Sequence, residues 1–298
     1  MNYDLINNFY FRFINNLRQM KHNVAICFDS EEKRILKENG KYKNKYCGKR
    51  CFIIGNGPSL KQQDLSKVSQ DVVFTVNMFP KSPMYEQVKS DFHVMADAAF
   101  FQTDADEETF DSNLEVFKKI NTGENRPVCF FPYFHKRMIE EQGLNQFLDI
   151  SYFHFVKGLY EGYKRKMDLT KCIPGVCNVV QFAIEIAICM GFEEIYLLGC
   201  DMTGYEDISV LFGKKIETHV YDTSEKEKEA FRRMHAQKDV VVENFFAGLS
   251  CTLMDFRRLK VYCEKQGIHL YNATHGGILE SLPRVDYNKL FENKGEKL

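Results

Sequence analysis

The residues best suited to chemistry are Gly55, Asn56, Gly57, Pro58 and Ser59, in the stretch CFIIGNGPSL from Cys51 to Leu60. Apolar residues that run straight into Gly-Asn-Gly-Pro-Ser read as a buried strand entering a tight turn. Glycine has no Cβ, so a ligand can approach its backbone closely. Pro58 and Ser59 suit the start of a helix near Leu60, and a helix start offers unpaired N–H groups to an anion. Asn56 adds one acceptor and two donors without charge. The chemistry indicated is the binding of a phosphate or a nucleotide. No Gly-Lys-Ser/Thr follows, so the turn is not a P-loop, and the third glycine of the dinucleotide fingerprint is missing. A plain strand–helix turn is the alternative.

Further polar residues stand where apolar runs end: Asn77, Asp97, Asp201 and Asn272. Open α/β sheets bind ligands beyond the carboxyl ends of their strands, so these four and Asn56 are expected around one crevice. The alternative for each alone is a helix cap or an Asx turn. Asparagine can read base and ribose without adding negative charge near a phosphate, and two aspartates suit a magnesium ion or a substrate hydroxyl. His219, in THVYD (Thr218 to Asp222), is the candidate general base, because histidine titrates near neutral pH; Asp201 is the second catalytic candidate. Tyr205 and Tyr221 could donate hydrogen bonds to a leaving phosphate. His275, beside two glycines, is a rival base, and His93 reads as a core residue of a strand.

Holding these residues together requires alternating strands and helices, and the hydropathy pattern supplies them. Strands are expected at 51–54, 72–76, 92–95, 128–131, 194–198 and 268–271. Helices are expected at 60–68, 84–88, 104–119, 136–147, 178–190 and 252–264. The helix from Asn178 to Met190 is apolar nearly all round, hence buried, with Gly191 as its C-cap. Residues 149–170 are aromatic, then basic, without a clear period. The fold class that follows is α/β: a doubly wound, mostly parallel Rossmann-like sheet. Residues 202–243, a long polar insertion after the Asp201 strand, are expected as a lid. Residues 49–298 form the catalytic domain. Residues 1–48 read as a helical extension, with a short helix near 31–38. Ile6, Phe9, Phe13 and Leu17 recur there at helical spacing. That apolar face is expected to dock on the main body or on a second copy of the chain, with a membrane surface as the weaker alternative.

A chain of 298 residues can bury a full core, and a formal net charge of −1 lacks the basic excess of a general nucleic-acid binder. No nucleic-acid partner is expected. Of the 10 cysteines none forms a C-x-x-C pair, and Cys51, Cys129, Cys189 and Cys200 lie in or beside apolar runs, where a thiol packs as a small hydrophobe. The start, MNYDLINNFYFRF, lacks a continuous apolar segment of the signal-peptide kind. A reducing, cytoplasmic location is expected, with peripheral contact at the inner face of a membrane left open.

IIGNGPSL, VFTVNMF and LLGCDMTGY resemble the bacterial sialyltransferases that use CMP-activated sialic acid. They also resemble the broader family named after the archaeal 6-hydroxymethylpterin diphosphokinase. The resemblance runs from about residue 51 to about residue 287. It implies that Asn56 contacts the nucleotide phosphate and Asn77 the nucleotide. Asp97 stands where the sialyltransferases have asparagine, closer to the pterin-kinase pattern. Gly175 and Asn178, in PGVCN, stand in place of a Ser/Thr-Gly pair before the buried helix, and His219 with Tyr221 matches a catalytic histidine preceding a tyrosine in the lid. The implied activity is transfer of a sugar, sialic acid or a related acid, from a cytidylyl-activated donor to a glycan acceptor in surface polysaccharide or lipooligosaccharide synthesis. His219 would deprotonate the acceptor, and neither metal nor other cofactor is required. One alternative is a pterin-type or small-alcohol diphosphokinase with Mg²⁺ held by Asp97 and Asp201. The other is a non-catalytic nucleotide-binding partner in polysaccharide assembly.

Overall fold

The computed structural model describes residues 3–101, 107–123, 125–203 and 241–292. Short runs of apolar residues form one eight-stranded sheet: β1 (Arg50–Ile54), β2 (Val72–Val76), β3 (Phe92–Val94), β4 (Val128–Pro132), β5 (Asp149–Lys157), β6 (Cys172–Gly175), β7 (Glu194–Leu198) and β8 (His269–Asn272). Every strand pairing is parallel. The order is β6-β5-β4-β3-β2-β1-β7-β8. From β1 the chain steps outward to β6, then returns to the other side of β1 for β7 and β8. The direction therefore reverses between β1 and β7, which is where open sheets of this kind leave a crevice.

Both faces of the sheet are buried, as parallel strands require. Cys51 and Ile53 of β1 face a core shared with α5 (Val179–Met190) and α6 (Val241–Gln266). Phe52 and Ile54 point the opposite way, onto Leu60, Leu65, Phe79 and Tyr85. Further along that second face, Cys129 and Phe131 of β4 pack with α3 (Glu107–Ile120) and α4 (Lys136–Glu141). α5 is buried at all but its first residue and is closed by Gly191 in the left-handed conformation, as the sequence predicts. A last short helix, α7, spans Lys289–Glu292.

Three features depart from the sequence reading. β5 and β6 were not foreseen. β6 contains Pro174 and Gly175, which normally argue against a strand, but it lies at the sheet edge, where a missing N–H costs nothing. The helix expected at 60–68 is two short 3₁₀ turns, Pro58–Gln62 and Leu65–Val68. Asp64 separates them by accepting from the backbone N–H and the hydroxyl of Ser66, a local bond that competes with helix continuation. The segment 83–87 is likewise 3₁₀.

The N-terminal segment forms α1 (Tyr3–Phe28) and α2 (Ser30–Glu38), the latter capped by Asp29. Phe13 and Leu17 are 55% and 45% exposed, so the face expected to dock on the body does not do so at these positions. α1 lies on β5 and β6 through a more polar face that includes Gln19 and Asn23. Among the described residues, no helix is long and apolar enough to cross a membrane.

Candidate functional site

β1 and β7 end level, with Ile54 and Leu198 in register, and each is followed by a glycine. Gly199 has φ +60°, and a Cβ there would fall 2.6 Å from the Leu60 side chain. Gly57 is different. Its φ of −68° suits any residue, but a Cβ there would lie 1.7 Å from Asp201 Oδ2. Its glycine is a demand for space, made by the loop after β7 and not by a ligand.

The turn also does not present a row of free amides. Gly55 N–H donates to Leu198 O, and Gly57 N–H to Gly199 O. Ser59 gives both its N–H and its hydroxyl to Asp201, at 3.3 and 2.8 Å. The 3₁₀ turn at Pro58 is thus capped by a carboxylate of the protein itself. Asp201 is held in turn by the last loop: Ile278 N–H donates to its backbone oxygen. Burial raises the Asp201 carboxyl above the ordinary aspartate range, and the two Ser59 bonds oppose that rise.

Beyond these strand ends lies a crevice of about 500 Å³. Of the residues singled out from sequence, Gly55, Asn56, Gly57, Asn77, Asn178 and Asp201 line it. Asn56 donates to Val76 O at 3.3 Å, while its Oδ1, like that of Asn77, is buried without a donor. A buried acceptor on a crevice wall is satisfied only by something that enters the crevice. Asn77 has φ +46° and Met202, also on the wall, φ +56°. For asparagine the left-handed region is tolerable; for methionine it is strain of the kind that gathers at functional sites. Asn178 caps α5, its Oδ1 accepting from Val180 N–H at 2.7 Å. The positive end of that helix dipole, with Asn178, Val179 and Val180, opens on the crevice.

The other expected residues lie elsewhere. Asn272 is fully buried, accepting from Thr274 N–H and donating to Leu279 O; it is the Asx turn of the final loop. Gly175 sits in β6, where a Cβ would meet Lys157 N at 2.9 Å. Asp97 is exposed and off the crevice wall, so the aspartate pair with Asp201 is not assembled there. Pro58 and Ser59 stand behind the wall. His93 is fully buried beside Thr75 Oγ1 at 2.8 Å, its pKa pushed down to about 3 by burial, which makes it the neutral core residue expected. His275 is exposed and helps stabilise the Asp201 charge. His219, Tyr205, Tyr221 and the proposed lid up to residue 240 lie outside the described residues.

Sequence reasoning missed the opposite wall, where Asn244, Phe245, Gly248, Leu249 and Thr252 of α6 face the crevice. The signal was present in the helical spacing of Phe245, Leu249 and Thr252. The sequence also carries one D-x-D pair, Asp104 and Asp106, which the reading of the motifs missed; it lies outside the described residues.

No curated protein matches this chain. Among solved structures, the sialyltransferase CstII of Campylobacter jejuni, in complex with a substrate analogue, cytidine-5'-monophosphate, is similar at 18% identity. The likeness covers 80% of this chain and 85% of that one, with a TM-score of 0.45. The family model described as 6-hydroxymethylpterin diphosphokinase MptE-like matches residues 18–207, which include the glycine turn, Asn77, Asn178 and Asp201, and the chain belongs to that family.

Proposed function

We propose that the crevice binds a nucleoside triphosphate and transfers its diphosphoryl group to the hydroxyl of a small, pterin-type alcohol. The observation that carries this reading is the family match across residues 18–207, which spans most of the crevice-forming elements. The bond from the β-phosphorus to the α–β bridging oxygen breaks, the acceptor oxygen bonds to that phosphorus, and the hydroxyl proton passes to solvent. The amides of Asn56 and Asn77 orient the nucleotide, and the N-terminus of α5 favours its negative charge. Such chemistry implies Mg²⁺. Asp201 and the unpaired oxygens of Asn56 and Asn77 are the hard donors that ion takes. Asp201 would hold it together with the substrate phosphates, and it would neutralise phosphate charge.

A second reading is glycosyl transfer from a cytidylyl-activated sugar acid to a glycan acceptor. It is favoured by the four uncharged amides of Asn56, Asn77, Asn178 and Asn244 on the wall, which suit a nucleotide monophosphate without a metal. In that reaction His219 takes the acceptor proton.

Thermal shift of the full chain against ATP, GTP, UDP, CMP and CDP, each with and without Mg²⁺, separates the two. Stabilisation by ATP or GTP that needs Mg²⁺ supports the first reading. Stabilisation by CMP or CDP regardless of Mg²⁺ favours the second, under which His219→Ala lowers turnover by about 10²-fold and EDTA leaves activity intact. No response to any nucleotide overturns both. For whichever nucleotide binds, Asn56→Ala should weaken affinity by about 1.5–3 kcal/mol.

A further inference from the structure

At the far edge of the sheet, four elements bring side chains of another chemical type together. His154 of β5 and Cys172 of β6 are register partners, so both project from the same face. His22 reaches them from α1, with its Nδ1 2.8 Å from His154 Nε2. The donor atoms of His22, His154 and Cys172 all lie within 4.8 Å of one another. Glu32, from α2, takes the remaining ring nitrogen of His154, Nδ1, at 2.5 Å.

The position of His22 is fixed on either side. Gln19 Nε2 donates to Cys172 O at 2.9 Å, and Asn23 Oδ1 accepts from Cys172 N–H at 2.9 Å. Residues 19, 22 and 23 share one helical face, so the bonds that seat α1 on β6 also aim His22 at Cys172.

We propose that His22, His154 and Cys172 bind a transition-metal ion, and that the ion is zinc. Two imidazoles and one thiolate are a borderline-soft donor set that suits Zn²⁺ and not Mg²⁺ or Ca²⁺, which take oxygen ligands. Glu32 on the outer nitrogen of His154 fixes the tautomer that leaves Nε2 free for the metal, the usual carboxylate–histidine–metal arrangement. The charges close: Zn²⁺ with the Cys172 thiolate and the Glu32 carboxylate sums to zero in a largely buried setting. Binding releases the Cys172 thiol proton to solvent, and His22 carries its own proton on Nε2. Nitrogens bound to one tetrahedral zinc stand about 3.4 Å apart, so the two rings part by about 0.6 Å through side-chain torsion. Three protein ligands leave one position for water.

The site is distinct from the crevice. β5 is four strand positions from β1, or about 19 Å at the usual spacing. Its role is to clamp α1 and α2 onto the edge strands.

The test uses the full chain, stripped with a chelator and titrated with Zn²⁺ against a competing chromophoric chelator. One tight equivalent is expected. His22→Gln and Cys172→Ser should each weaken it by more than about 100-fold, and Glu32→Gln by about 10–100-fold. Cys177→Ser, a change of an exposed thiol that lines the crevice and is not part of the cluster, should leave zinc affinity unchanged. With Co²⁺ in place of zinc, the folded wild-type protein should show a thiolate-to-cobalt charge-transfer band that Cys172→Ser abolishes. A tight equivalent that survives both Cys172→Ser and His22→Gln would assign binding to other thiols and overturn the proposal. So would a folded wild-type protein without the cobalt–thiolate band, whatever the variants do.

Discussion

The crevice at the β1–β7 seam and the cluster at the β5–β6 edge both join segments far apart in the chain, by different means. At the seam Ser59 meets Asp201 across 142 residues, yet each half carries its own local mark, GNGPS on one side and LLGCD on the other. Backbone does the positioning there: paired glycines, strand ends in register, and Asn77 and Met202 at positive φ. At the edge His22 meets His154 across 132 residues and Glu32 meets it across 122. All three sit inside regular helices or a strand, and none belongs to a glycine turn of the GNGPS kind. Sites built from strained backbone leave a sequence signal. Sites built from side chains on regular elements leave almost none until the elements are docked.

The sharpest way to break this contrast is Gly57→Ala. If the seam is held by backbone contact, the added methyl has nowhere to go, because Asp201 Oδ2 would lie 1.7 Å away and Gly199 O 2.7 Å. Either β1 and β7 part or Asp201 leaves Ser59. The expected loss is about 3 kcal/mol, at the upper end for a methyl forced into a packed site, read from urea unfolding. A loss under about 0.5 kcal/mol would mean that the Asp201 loop yields freely and that backbone does not hold the seam.

The same contrast explains what could be read in advance. β2 (VVFTV) and β7 (EIYLL) are mostly apolar runs bounded by polar residues, and their predicted limits coincide with Val72–Val76 and Glu194–Leu198. α5 was legible because it is apolar all round between Asn178 and Gly191. β5 was not, because its aromatic residues serve two faces: Phe153 and Phe155 pack on Phe182 of α5, while His154 turns to α1. α1 misled for a related reason. Its apolar residues at 13 and 17 are exposed, and a more polar face docks. In the crevice, Asn56, Asn77 and Asp201 were legible from their places at strand ends. Asn272 obeys the same rule, yet its side chain closes the loop behind it. Only the direction of the side chain separates these cases, and a strand-end position does not encode it.

α5 starts at the crevice and packs on the face of β5 opposite His154, and midway along it Glu185 is fully buried with neither carboxylate oxygen bonded. Burial first, then the Asp255 charge, raises its pKa well above the usual 4.5. Tyr163, Tyr262, Cys172, Cys189 and Cys263 are titratable groups that surround it. The folded protein therefore holds a proton that the unfolded chain releases. Its stabilising effect is complete below about pH 4.5 and is lost as pH rises through the raised folded value. Relative to Glu185→Gln, the wild type should lose up to about 1.4 kcal/mol per pH unit across that window, measured by urea unfolding from about pH 5 to about pH 8. A difference independent of pH would mean that Glu185 is ionised in the fold, and that the core around α5 is wetter than it looks.

The smallest effect comes from the residue where backbone and side-chain positioning meet. Asn178 caps α5 and also lines the crevice. Asn178→Ala removes the cap and should cost about 1 kcal/mol of stability. Asn178→Asp keeps an acceptor for Val180 N–H and should leave stability within about 0.5 kcal/mol of wild type, since the two residues cap equally well. Its added negative charge faces the crevice, however. A phosphate held about 4 Å away in water-like surroundings would lose about 1 kcal/mol, roughly a fivefold weaker affinity in a calorimetric titration with the nucleotide that binds. Asp in place of Asn thus separates the two duties of one side chain. If affinity for that nucleotide is unchanged, its phosphates do not lie at the α5 N-terminus, and the anion must be held elsewhere along the wall.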